Sequence, residues 1–286
     1  MHTAKRYILW SVVLLFIVAT LFGVIYQHAP QKTDLSVSFL DVGQGDAIFI
    51  QTPEGIQVLI DGGPKDVVMA KLKEVMPRGD TTIDMIVVTN PDSDHISGFS
   101  SVLDAYTVDS VLLAGTRSTT ETYKGLMKKI EATHVRQIGA YKDTQFVLGS
   151  GAVLSVLFPD QVVRGWERND GSIVMRLSYK DTSIMLMGDA SAETEKLIIS
   201  GTDPKNIASD ILKLGHHGSR TSTSDEWLDV VAPTVAIVSA GENNSYGHPH
   251  PEVIERLAER GIEIKQTGLD GTISYISDGQ EWIEKE

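Results

Sequence analysis

The sequence predicts a single α/β domain of about 250 residues preceded by a separate apolar segment. Two observations carry this. Short apolar strands alternate with helix-length amphipathic stretches in both halves of the chain, and no Pro- or Ser-rich tract, repeat or low-complexity stretch divides them. The composition agrees: 286 residues, 42% hydrophobic and 22% charged, allow a large core and exclude a collagen-like or disordered chain.

In chain order, Leu35 to Val42 alternates as a strand, Gly43-Gln44-Gly45 turns, and Asp46 to Thr52 returns as a second. Gln57 to Ile60 is a third, ending at Asp61-Gly62-Gly63, with a helix over Lys65 to Val75. Met85 to Thr89 reads as a buried strand, Ser97–Ala105 and Thr120–Thr133 as helices, and Ser110–Ala114 as the strand between them. Ser172–Tyr179 and Ser183–Met187 form a hairpin around Lys180-Asp181-Thr182, followed by a helix over Ala190–Ile199. Strands over Ile211–Leu214 and Val235–Ser239, a helix over Pro251–Arg260, and strands over Ile262–Gln266 and Thr272–Ser277 complete the pattern.

The first thirty residues are a different physical object. Tyr7 to Tyr26 is an uninterrupted apolar run without a charge, long enough to cross a bilayer as a helix. Lys5 and Arg6 precede it, which places the N-terminus in the cytoplasm and the remainder outside. A cleaved signal peptide is the alternative, but its apolar region is shorter and Gln27-His28-Ala29 is a poor cleavage site. The expectation is a signal anchor over residues 1–30, a domain over 31–286, and a single-pass protein of the cell membrane whose domain is extracytoplasmic.

Cysteine is absent, which excludes disulfide scaffolds, thiolate metal sites and cysteine nucleophiles. The 38 acidic residues against 25 basic ones give a net charge of −13. Such a chain does not hold nucleic acid by bulk electrostatics, which leaves a local basic patch. Lys213, Arg220, and Arg164 with Arg168 are the candidates for one.

Chemistry gathers at the ends of apolar strands, where side chains leave the core yet stay anchored. Asp92-Ser93-Asp94-His95 follows Met85–Thr89 and sets two carboxylates and an imidazole where one cation can collect them. A helix N-cap accounts for one acidic residue there, not for Asp-x-Asp-His. Asp189, after the second hairpin strand, alone reads as a turn. Gly215-His216-His217-Gly218-Ser219 pairs two imidazoles with glycines that admit close backbone approach, so that one ring can bind metal while its neighbour meets substrate. Tyr246-Gly247-His248-Pro249-His250 is weaker, because Pro251 opening a helix explains much of it.

Together these residues resemble the metallo-β-lactamase superfamily, and within it the extracytoplasmic hydrolase domain of ComEC-type DNA-uptake competence proteins. The resemblance runs through Phe39-Leu-Asp-Val-Gly-Gln-Gly-Asp46, Leu59-Ile-Asp-Gly-Gly63, Val88-Thr-Asn-Pro-Asp-Ser-Asp-His95, Asn169-Asp-Gly-Ser-Ile-Val174, Met187-Gly-Asp189, Leu212-Lys-Leu-Gly-His-His-Gly-Ser219 and Tyr246-Gly-His-Pro249. It implies a four-layer αββα sandwich with the site at the sheet edge. It also implies that Asp92, Asp94, His95, Asp189 and His216 or His217 bind metal, with Asp189 bridging, while Asn90 and Asn169 stand where a first metal site has histidines. Asp94 and Asp189 are the catalytic candidates, as orienter of a hydroxide or acceptor of its proton. Lys213, Ser219 and His248 are candidates to bind an anionic group beside the metal.

The mixed oxygen and nitrogen donors suit zinc or manganese, as one firmly held ion with a weaker second. The expected activity is phosphodiester hydrolysis, with DNA the implied substrate and a DNA-uptake channel a further partner. The alternatives are a hydrolase of cell-envelope phosphoesters, of teichoic acid or phosphorylcholine type, and a non-catalytic, metal-stabilised binding module. β-Lactam hydrolysis ranks below these because zinc ligands it relies on are missing.

Overall fold

A computed structural model describes Trp10, Leu15 and residues 34–285. The span expected over residues 7–26, those two apart, lies outside the described residues. Among the described residues no helix is long and apolar enough to cross a membrane.

Among the described residues fifteen strands form two sheets. The first joins Leu35–Phe39 (β1), Ile48–Gln51 (β2), Gln57–Ile60 (β3), Thr82–Val88 (β4), Thr107–Leu113 (β5) and Arg136–Gly139 (β6) with the returning Ile273–Ser277 (β14) and Trp282–Lys285 (β15). Its order is β15-β14-β1-β2-β3-β4-β5-β6, antiparallel through β3 and parallel from β3 to β6. The second joins Gln145–Gly149 (β7), Ala152–Phe158 (β8), Val174–Tyr179 (β9), Thr182–Leu186 (β10), Ile211–Lys213 (β11), Val235–Val238 (β12) and Glu263–Gln266 (β13). Its order is β13-β12-β11-β10-β9-β8-β7, again half antiparallel and half parallel.

The period-2 alternation of each strand feeds two cores at once. Ile50, Ile60 and Val87 of the first sheet meet Met175, Leu186 and Ile237 of the second in a shared core. The intervening Phe49, Leu59 and Ile86 face outward onto Leu72, Phe99 and Leu126 of the helices Val67–Val75, Phe99–Ala105 and Glu121–Thr133. On the other side Met185, Leu212 and Ala236 pack against Trp227, Val253 and Leu257 of the helices Asp225–Val231 and Pro251–Glu259. Helices thus cover both outer faces of two stacked sheets, which is the αββα arrangement.

Several boundaries differ from the sequence reading. The first strand stops at Phe39, before the loop that carries Asp46, and the fifth begins at Thr107. The hairpin turns on Lys180 and Asp181 alone, with Thr182 already paired to Tyr179 and Lys180 left-handed at φ 52°. Strands β6, β7, β8 and β15 and the helix Asp225–Val231 are additional.

Candidate metal centre

The candidate ligands come from the connections after β4, β10 and β11, with Asp46 and Asp61 set behind them from the connections after β1 and β3. After β4 the chain runs through Thr89-Asn90-Pro91 into the short helix Ser93–Ile96. Asn90 Oδ1 accepts the Asp92 N–H at 2.8 Å, tightening the loop so that Asp94 and His95 enter on the first helical turn. Asp92 makes no side-chain cap bond; its carboxylate instead pairs with Arg168. A Cβ at Gly45 would overlap the Asp94 carbonyl oxygen, and Gly45 has φ +130°, so only glycine lets the Asp46 loop close on this helix.

His95 is fully buried between two carboxylates. Its Nδ1–H donates to Asp61 Oδ2 at 2.7 Å, which directs Nε2 to Asp189 Oδ2 at 3.1 Å. Asp61 is itself held by the Thr89 N–H at 2.9 Å and hydroxyl at 2.5 Å. The loop after β11 supplies the second imidazole. His216 and His217 both adopt left-handed backbone (φ 46° and 57°), an arrangement costly for non-glycine residues and concentrated at functional sites. His217 Nδ1–H donates to the Ser239 carbonyl at 2.9 Å, with Asp46 Oδ1 at 3.3 Å beside it. Its Nε2 then lies 3.3 Å from Asp94 Oδ2 and 3.5 Å from Asp189 Oδ1. Both rings therefore have the tautomer a metal ligand needs, fixed by outer partners at Nδ1.

Burial disfavours charge on all of these groups, yet their mutual pairing overrides it in the metal-free protein. Burial works against the His217 imidazolium, but Asp189 and Asp46 lift its pKa to about 9. His95 is raised in the same way, against burial, by Asp189 and Asp61. Against the upward push of burial, Lys213 and His217 hold Asp46 down at about 2, and His95 and His217 hold Asp189 below its usual range. Asp94 is also lowered despite burial, through His217 and His95.

A divalent cation fits this set. Asp94, His95 and His217 each offer a donor atom within 4.8 Å of the others. His95 Nε2, His217 Nε2 and Asp189 Oδ1 are buried without a hydrogen bond, a rare and costly condition that a shared cation relieves. Asn90 Nδ2 and Asn169 Oδ1 are likewise orphaned.

Not all the expected residues join them. His216 turns aside, with Nδ1 3.2 Å from Thr221 Oγ1 and Asn169 Nδ2 at 3.4 Å, so His217 is the inward histidine. His248 comes to the rim, its ring 6.1 Å from His217 and stacked on Tyr246, and burial with the neighbouring imidazoles of His217 and His216 lowers it to about 4. Lys213 is not at the rim: it is fully buried, with Nζ 2.7 Å from Asp46 Oδ2 and donating to the Leu214 carbonyl at 2.8 Å. Ser219 is buried too, its hydroxyl accepting from the Thr221 N–H at 3.3 Å and hydroxyl at 3.0 Å. Of the proposed basic patch, Arg168 pairs with Asp92 and Arg220 with Glu252. Asp46 and Asp61 are site residues to which the sequence reading gave no site role, Asp46 as the start of the second strand and Asp61 as the end of the third; their signal is an acidic residue beside glycine at a strand boundary.

A family model described as the metallo-beta-lactamase superfamily matches residues 40–242, well over half of the chain, and the chain belongs to that superfamily. Among curated proteins it is 29% identical to ComE operon protein 3 of Bacillus subtilis, over 91% of this chain and 35% of that protein. It is 30% identical to Recombination protein 2 of Haemophilus influenzae over 90% and 31%, and 28% identical to Competence protein ComA of Neisseria gonorrhoeae over 87% and 33%. The chain thus spans about a third of the length of these relatives. Among solved structures, CmlA, a diiron beta-hydroxylase from Streptomyces venezuelae, shares the fold with a TM-score of 0.56 at 13% identity, over 87% of this chain and 54% of that one.

Proposed function

We propose that the chain is a metal-dependent hydrolase of phosphodiesters, acting on DNA, and anchored by residues 7–26 with its domain outside the cytoplasmic membrane. The observation that carries the hydrolase reading is the pair of buried imidazoles whose Nε2 atoms converge with Asp94 and Asp189. The DNA reading rests on two of the relatives, Recombination protein 2 and Competence protein ComA, whose names refer to recombination and competence.

Zinc or manganese held by His95, His217, Asp94 and Asp189 would polarise a phosphoryl oxygen and acidify a water molecule. Asp189, within 3.5 Å of both imidazoles, locks the two halves of the site together. Asp94 is the carboxylate open to the cleft, its side chain 29% exposed, and its lowered pKa keeps it ionised at neutral pH as the acceptor of the nucleophile's proton. His248, neutral at that pH, presents an uncharged polar ring to the substrate. The outer partners Asp46, Asp61 and Lys213 keep the rings aimed.

The test strips the full chain of metal, restores Mn²⁺ or Zn²⁺, and follows linear DNA and bis-p-nitrophenyl phosphate, with Asp94→Ala/His95→Ala as control. Metal-dependent DNA cleavage lost in the control is the expected result. Cleavage of the small diester alone would move the assignment to an envelope phosphoesterase. Metal binding without turnover would make the chain a tethered binding module.

A further inference from the structure

A second site lies away from the metal ligands. An open groove of about 570 Å³ runs along the helix Glu121–Thr133 at the β6 edge of the first sheet, with Arg117, Tyr123, Lys124, Lys128 and Gln137 along it. We propose that this groove is a docking site for single-stranded nucleic acid, leading the strand toward the metal centre.

Charge is the first argument. In a chain of net charge −13 the groove carries three cations against one carboxylate, Glu131. Arg117 and Lys128 are among the described basic side chains that have neither an ion pair nor a hydrogen bond to the described residues, so both charges are free for an anion. Lys124 shares an exposed pair with Glu121 at 2.8 Å, which contributes little and is readily exchanged for a phosphate.

Spacing is the second. Lys124 and Lys128 are one helical turn apart on one face, so their Cβ atoms are about 6 Å apart, close to the separation of successive phosphates in an extended strand. Tyr123 and Met127 form a parallel i, i+4 pair beside them. The half-buried Tyr123 ring lies close enough to Arg117 for that cation to oppose the burial that raises its phenol. A groove that sets cations beside a half-buried tyrosine offers charge to the backbone and a ring to the bases without sequence preference.

Continuity is the third. Arg117 belongs to the loop that leaves β5, and that loop leans on the segment carrying Arg168 and Asn169: Thr116 abuts Gly171, and Gly115 abuts Val163. Asn169 in turn touches His216 at the metal centre. The loop that carries Arg117 is thus joined by contiguous packing to the segment that flanks the metal centre. An anionic membrane would also meet these cations and would accept a tyrosine at its interface, so vesicle binding is measured beside oligonucleotide binding.

The proposal takes its ligand from the DNA reading above and its site from geometry independent of the metal centre. The experiment measures anisotropy of dye-labelled oligothymidylate with the full chain in chelator, where no cleavage occurs. Arg117→Glu/Lys128→Glu is compared with Lys73→Glu/Arg78→Glu, an equal charge change on another face, after unchanged melting confirms folding. Tyr123→Ala and Tyr123→Phe form a second pair.

The expected results are at least tenfold weaker binding for the groove double variant and a salt slope lower by about 1.4, the loss of two phosphate contacts. The control pair is expected to bind within twofold of wild type, and Tyr123→Phe but not Tyr123→Ala to retain affinity. Equal weakening in both double variants, no effect in the groove variant, or no binding by wild type overturns the proposal. So does groove-dependent binding of phosphatidylglycerol vesicles without binding of the oligonucleotide. Groove-dependent binding without Mn²⁺-dependent cleavage would uphold the docking site while refuting the nuclease, and cleavage insensitive to the groove variant would do the reverse.

Discussion

His95 and His217 show how a carboxylate behind an imidazole decides what the ring can do. With Nδ1 committed to Asp61 in one case and to Ser239 beside Asp46 in the other, each Nε2 is left to the cavity. Replacing Asp61 by Asn keeps the shape but weakens that command, and the expected cost is 10- to 100-fold in Mn²⁺ affinity by calorimetry, with the fold retained. Proton linkage gives a second prediction. His217 holds a proton up to about pH 9 in the metal-free protein, and a metal must displace it. Affinity should therefore rise with pH up to about 9, and calorimetry in buffers of different ionisation enthalpy should record proton release at pH 7. Asp94, His95 and the His216-His217 pair were readable as candidates because they end apolar strands, and Asp189, which alone reads as a turn, only through the family resemblance. Asp46 and Asp61 were not, since each reads only as a strand boundary until the fold brings Lys213 or His95 to it. Lys213 was misplaced for the complementary reason: charge suggests solvent, and only the second sheet's packing shows it buried.

At the level of elements, the strands that feed both cores were visible because their alternation is strict, as in Phe49 outward between Ile48 and Ile50 inward. The hairpin β7–β8 lay unread although Ala152 to Phe158 is apolar and Gly149-Ser150-Gly151 turns before it. Its first strand is an edge strand that leaves Val147 exposed, which blurs the pattern. The helix Asp225–Val231 is only seven residues long, too short for a periodic signal, yet Trp227 is wholly buried. Trp227→Ala should destabilise the protein by about 3–5 kcal/mol, measured by denaturant unfolding. Gly45→Ala tests the loop closure: the added methyl meets the Asp94 backbone, so both melting temperature and metal affinity should fall.

Across the whole molecule, all 38 acidic residues lie beyond the apolar run Tyr7 to Tyr26, so the part expected outside the membrane is acidic while the substrate proposed for it is a polyanion. Local cations must then do what net charge does not, and DNA hydrolysis should weaken steeply with salt. The anchor is tested by fractionation: the full chain should sediment with membranes, and a chain lacking residues 1–30 should not. The central claim is that His95 and His217 hold a divalent ion with Asp94 and Asp189, and titration of the chelator-treated full chain with Mn²⁺ and Zn²⁺ tests it most directly. The prediction is at least one firmly held ion per chain, abolished in His95→Ala/His217→Ala at unchanged secondary structure. Equal stoichiometry and affinity in that variant would contradict it.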